Sequence, residues 1–124
     1  MFSLTDNLSY YLYPRYIDMG KGVESLSELL RSEPGCNPLS GDAFLFFGRK
    51  KDAVKILRWD KDGFFLYYKR LEAGTFELPR LEPHRGPCEL SYETFFLIMR
   101  GGFLCVRQVA VNATAYRLIR RLYI

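Results

Sequence analysis

The sequence is poor in the residues that carry most enzyme chemistry. It holds one histidine, His84, and three cysteines, Cys36, Cys88 and Cys105. The cysteines are odd in number and far apart, so they make neither a disulfide framework nor a C-x-x-C metal or redox unit, and a reducing, cytoplasmic location is expected. His84 stands in a proline-rich stretch with no Ser, Cys or carboxylate spaced as a nucleophile's partner. Gly20-Lys21-Gly22 lacks the Walker spacing and the Ser or Thr that follows its lysine. The carboxylates Asp42, Asp52, Asp60 and Asp62 fall where turns favour aspartate, whose side chain bonds the local backbone. Two-metal chemistry on nucleic acid needs acidic groups converging from strands, and the strands here carry Lys and Arg instead. No apolar run reaches the roughly twenty residues that cross a bilayer, and the N-terminus has no basic stretch leading into an apolar one. These absences predict a non-enzymatic protein with no cofactor, no metal site and no membrane segment.

What is present is aromatic and basic. Aromatic residues make up 16% of the chain, a high share, and the net charge is +4, which leans toward polyanions without deciding the partner. At 124 residues there is room for one core and not two, so a single domain over residues 1–124 is expected. No repeat, linker or low-complexity stretch divides it.

Residues 38–79 interleave the two residue classes. Turn signals break this region into 43–49, 53–60 and 63–71, each rich in Phe, Tyr, Val, Ile and Leu and short enough to be a strand. Two hairpins follow. Asp60-Lys61-Asp62-Gly63 fits a three-residue turn in which Gly63 supplies the positive φ. That register sets Trp59 against Phe65, Leu57 against Tyr67 and Lys55 against Lys69, whereas a two-residue loop moves every partner by one place. Two lysines face to face repel unless an anion lies across them or their stems run along the sheet to water. The first hairpin loop, Arg49-Lys50-Lys51, is a run of cations free to reach phosphates or simply to be solvated. The expected nucleic-acid contacts are therefore Arg49, Lys50, Lys51, Lys55, Arg58, Lys69 and Arg70 on phosphates, with Trp59 or Tyr67 stacking on unpaired bases.

The flanks complete the fold. Residues 8–13 read as a first strand ended by Pro14. Asp18 stands ahead of an amphipathic helix over 23–30, where it can bond the first free amides, and Pro34-Gly35 stop the run. Residues 76–87 read as an irregular connection. Ser91 caps an almost wholly apolar helix over 92–100 that should be buried, and Gly101-Gly102 end it. Beyond lie a strand-like FLCVRQVAV and a basic tail over 112–124, in which Arg117, Arg120 and Arg121 share a face if the tail is helical. The architecture predicted is α+β: a small antiparallel β-meander of three to four strands with both helices packed against one face.

The landmarks Tyr11-Leu12-Tyr13, Asp18-Met19, Lys21-Gly22, Pro38-Leu39-Ser40-Gly41-Asp42, Phe44, Phe46-Phe47, Lys55-Ile56-Leu57, Trp59-Asp60, Asp62-Gly63-Phe64, Tyr67, Lys69-Arg70-Leu71-Glu72 and Gly74-Thr75-Phe76-Glu77 run through most of the chain. In them it resembles the TnpB-type accessory proteins, the second open reading frame products, of IS-sixty-six type bacterial insertion sequences. The resemblance implies a helper of transposition whose separate, larger partner is an acidic-triad transposase, and it carries over no catalytic residues. Two roles follow for the same surface. One is DNA binding through a basic, aromatic sheet face. The other is a protein–protein adaptor that holds the transposase, with the same Arg and aromatic side chains as interface anchors.

Overall fold

A computed structural model describes residues 4–100. The strand-like segment after Gly102, the basic tail over 112–124 and Cys105 lie outside the described residues. Five strands, β1 (Tyr10–Leu12), β2 (Ala43–Phe47), β3 (Ala53–Asp60), β4 (Gly63–Arg70) and β5 (Cys88–Leu90), form one sheet in the order β4-β3-β2-β1-β5. Two helices, α1 (Val23–Arg31) and α2 (Tyr92–Met99), complete an α+β fold. The β2–β3–β4 meander is antiparallel as the turn signals predict. The sheet exceeds the expected three to four strands because β1 adds to β2 in parallel and β5 pairs antiparallel on β1's far side. A parallel pair needs a crossover, and the stretch containing α1 supplies it.

The helices lie on opposite faces, which corrects the expectation of one. Leu26 and Leu30 of α1 pack with Phe44, Phe46 and Leu57, while Phe95 and Ile98 of α2 pack with Leu45, Phe47 and Ile56. All five residues of β2 are therefore buried, and the strand reads as a continuous apolar run without alternation. Truncating Phe46, which has no exposed surface, to Ala costs about 3–5 kcal/mol on the usual scale for buried Phe.

Helix α2 starts as its sequence says: Ser91 Oγ accepts from the Thr94 amide at 3.1 Å. Helix α1 does not. Its N-cap is Gly22 with no side-chain bond, and Asp18 Oδ1 instead accepts from the Gly20 amide at 2.9 Å, closing a local turn before the helix. The Asp stands too far ahead of Val23 to reach the helix's free amides.

The β3–β4 hairpin also departs from its predicted register. Asp60 pairs with Gly63, so the loop is the two residues Lys61 and Asp62, and the positive φ falls on Lys61 at +56° and not on Gly63. The pairs become Trp59 with Phe64, Leu57 with Leu66 and Lys55 with Tyr68. A one-residue slip exchanges the faces of a strand, so Lys55 and Trp59 share the α1 face with Arg70, while Arg58, Tyr67 and Lys69 take the α2 face.

Candidate nucleic-acid interface

The basic strand residues do not form one face, and two of them donate to backbone carbonyls, Lys55 from a buried position and Lys69 from an exposed one. Lys55 is 8% exposed, and its ammonium donates to the Lys21 carbonyl at 2.7 Å and sits 5.3 Å from the Tyr68 ring centroid. Lys69 donates to the Met99 carbonyl at 2.8 Å, where it satisfies an acceptor at the C-terminal end of α2. Arg58 is half-buried on the α2 face, opposite Ala43 and Phe65, and its Nε is buried with no hydrogen-bond partner among the described residues. Trp59 is half-buried with Phe64 edge-on at 5.0 Å. Tyr67 is half-buried against the α2-side core. The exposed aromatics of β4 are Phe65 and Tyr68, which the predicted register did not distinguish.

The remaining cations gather at one end of the sheet. There β2 stops at Phe47, β3 starts at Ala53, and Arg70, the last residue of β4, pairs with Ala53. Arg49, Lys50 and Lys51 are exposed in the turn between, which the Lys51 amide closes by donating to the Gly48 carbonyl at 3.0 Å. Lys51 takes a φ of +58°. The chain after β1 arrives at the same place, because Tyr13 and Ile17 donate to the Leu45 and Phe47 carbonyls at 2.9 Å and so extend the parallel pairing. Gly48 permits that approach: a β-carbon there would stand 2.8 Å from Met19 Cγ.

These segments enclose a groove of roughly 680 Å³. Arg49 and Lys51 of the turn, Arg15 and Tyr16 after β1, and Arg80 and Leu81 line it together; no carboxylate is among its lining residues. The Lys51 ammonium stands 5.9 Å from the Tyr16 ring centroid. Arg15 holds the far wall in place, donating to the Pro83 carbonyl at 3.0 Å and to the Tyr13 hydroxyl at 2.9 Å and pairing with Glu33. Arg49 and Arg80 have no ion pair or hydrogen bond among the described residues. Sequence reasoning missed Arg15 and Tyr16 as site residues because they meet the loop only through the parallel β1–β2 pairing, where only an antiparallel meander was expected, and missed Arg80 because its stretch, read as an irregular connection, reaches the loop through the Phe76 amide on the Lys51 carbonyl. A smaller cleft of roughly 340 Å³ is lined by Glu82, Arg85 and Cys88 and shares Pro14, Pro79, Arg80 and Leu81 with the groove.

Burial, with the Asp42 charge second, pushes the Cys36 thiol up from its ordinary value. Burial likewise raises the Tyr10 phenol, whose hydroxyl donates to the Thr5 carbonyl at 2.6 Å. Among the described residues no three His, Cys, Asp or Glu side chains gather as a metal site requires, and no helix is long and apolar enough to cross a membrane.

Residues 8–109 match a family described as IS66 Orf2 like protein. Two relatives from Sinorhizobium fredii are similar to the chain. "Uncharacterized protein y4jC" is 32% identical over 85 residues, covering 68% of this chain and 71% of its own length. "Uncharacterized protein y4hO" is 33% identical over 89 residues, covering 69% and 77%. No solved structure matches.

Proposed function

Because the chain belongs to the IS66 Orf2-like family of insertion-sequence accessory proteins, we propose that it serves transposition as a non-catalytic DNA-binding protein, with the basic end of the sheet as its DNA contact. The supporting observation is the placement of Arg49, Lys50, Lys51 and Arg70 at one strand end, all exposed and none in an ion pair among the described residues. Exposed cations release the counterions condensed on DNA, whereas Lys55, buried and bonded to the Lys21 carbonyl, contributes little; Lys69 is exposed but has one donor engaged by the Met99 carbonyl. The working contact set is accordingly the loop and Arg70, with Arg58, Trp59 and Tyr67 in supporting positions within the sheet.

The test is an electrophoretic shift with the element's terminal repeats across a salt series. Replacing Lys50 and Lys51 together by Ala should flatten the log–log slope by about two units, at roughly 0.9 per phosphate on duplex. An absence of binding at low salt, with or without the transposase, would remove the DNA reading.

A second reading, the transposase adaptor, rests on β4. Among the described residues β4 pairs only with β3, so it is an edge strand, and Phe65 and Tyr68 on it are 46% and 54% exposed. An open edge with exposed aromatic side chains is a usual protein-docking surface. Its test is capture of the transposase by the wild-type protein and loss of that capture in Tyr68→Ala.

A further inference from the structure

We infer that the groove between the β2–β3 turn and residues 79–83 is a binding site for single-stranded DNA, with Arg49, Lys51 and Arg80 on the phosphates and the apolar walls against the bases. This rests on the DNA-binding reading and names its ligand and its residues. Three features of the groove support this reading, and the first of them selects a single strand over a duplex. Its walls carry Leu78, Leu81 and Pro79 beside the cations, so it offers apolar surface as well as charge. A duplex presents phosphates outward and keeps its bases stacked inside, and so has nothing to place against that surface. A single strand exposes both, which is the combination that sequence-tolerant single-strand sites recognise. The volume, roughly 680 Å³, lies in the range of sites that enclose a small ligand and suits a short run of nucleotides better than a helix.

The second feature is charge balance. Arg15 is committed to Glu33, but Arg49 and Arg80 face the groove without a carboxylate partner among the described residues, and none lines the groove. The third is Lys51 itself. A side chain at φ +58° is strained where glycine would not be, and this residue holds its ammonium near Tyr16 at the groove's edge. Lys61 has nearly the same backbone angle, +56°, but sits at the opposite end of the β3 strand, away from the groove. The two lysines therefore form a matched pair, equal in strain and different in place.

The experiment is fluorescence anisotropy with a labelled oligodeoxythymidine of about 12 nucleotides, within the usual site sizes, and with a duplex of equal length. The wild-type protein should prefer the single strand. Arg49→Ala, Arg80→Ala and Lys51→Gly should each weaken it on the order of tenfold, the loss of one charge-assisted contact, while Lys61→Gly should bind as wild type. The altered residues are exposed, and circular dichroism with thermal melts verifies that each variant is folded. Wild-type affinity in all three groove variants would overturn the groove while leaving DNA binding elsewhere intact. Equal or tighter binding of the duplex would overturn the single-strand assignment alone. Failure to bind either probe at low salt would overturn both the groove and the function it rests on.

Discussion

Lys55 donates its ammonium to the backbone carbonyl of Lys21 at 2.7 Å, a bond that ties the middle of β3 to the turn entering α1. The side chain is 8% exposed, so the charge is carried by this carbonyl and the Tyr68 ring nearby and not by water. A residue that reads in the sequence as a phosphate contact is a structural strut.

Lys55→Met should therefore lower stability by about 1.5–3 kcal/mol, the usual worth of a hydrogen bond to a charged group. Urea unfolding measures it. The salt dependence of DNA binding by the folded variant should stay as in wild type; a slope flatter by about one unit would mean that Lys55 reaches a phosphate after all.

Relief of backbone strain gives a second expectation. Lys51→Gly and Lys61→Gly each remove a β-carbon from a left-handed conformation that disfavours it by about 1–2 kcal/mol. Part of that gain is lost to the greater freedom of glycine in the unfolded chain. Both variants should melt at or slightly above the wild-type temperature. Gly63, whose φ is not positive and whose added β-carbon would meet open space, should accept Ala without loss. A drop of several degrees in Gly63→Ala would restore the three-residue turn.

Alkaline stability follows from Tyr10. Its phenol is buried and its pKa raised, first by burial and then by Tyr92, above the unfolded value near 10. The folded state thus favours the protonated form. The stabilisation is complete below about pH 10 and declines as pH rises beyond it, because the unfolded chain then loses the proton first. Tyr10→Phe should cost about 1 kcal/mol at neutral pH through the lost bond to Thr5, and its stability should fall less steeply than wild type above pH 10. Parallel declines would assign the alkaline transition to other groups.

The thiols should differ in reactivity. Cys36 is half-buried with its pKa raised by burial and by Asp42, whereas Cys88 is exposed. Thiolate is the reactive form, so iodoacetamide near neutral pH should label Cys88 well before Cys36, as peptide mass mapping would record. The reverse order would mean that the Cys36 region opens in solution.

How much of this was legible in the sequence depends on how local each signal is. Ser91 sits next to the helix it caps, and the Gly- and Asp-containing turns sit between the strands they join, so α2 and the meander could be read directly. The hairpin register could not. It turns on whether Lys61 or Gly63 takes the positive φ, and the sequence pattern favours the glycine while the structure uses the lysine. The β1–β2 pairing was hidden for another reason: thirty residues separate Leu12 from Ala43, and no local pattern reports a parallel neighbour. With that pairing went Arg15, Tyr16 and the groove. The apolar run Ala43–Phe47 held the clue, since a strand buried on both faces needs a cover on each side.

Arg15 ties its own stretch to two distant ones, with nearby Tyr13 and distant Pro83 accepting its hydrogen bonds and Glu33 balancing its charge just beyond the end of α1. A phosphate entering the groove thus meets there a guanidinium already engaged and must compete with a carboxylate for it. By reciprocity, whatever tightens the grip of Glu33 on Arg15 loosens the hold of Arg15 on an anion, and an anion that wins Arg15 slackens the tether between the helix end and the proline-rich wall. Occupancy of the groove and docking of α1 are in this way two claims on a single charge.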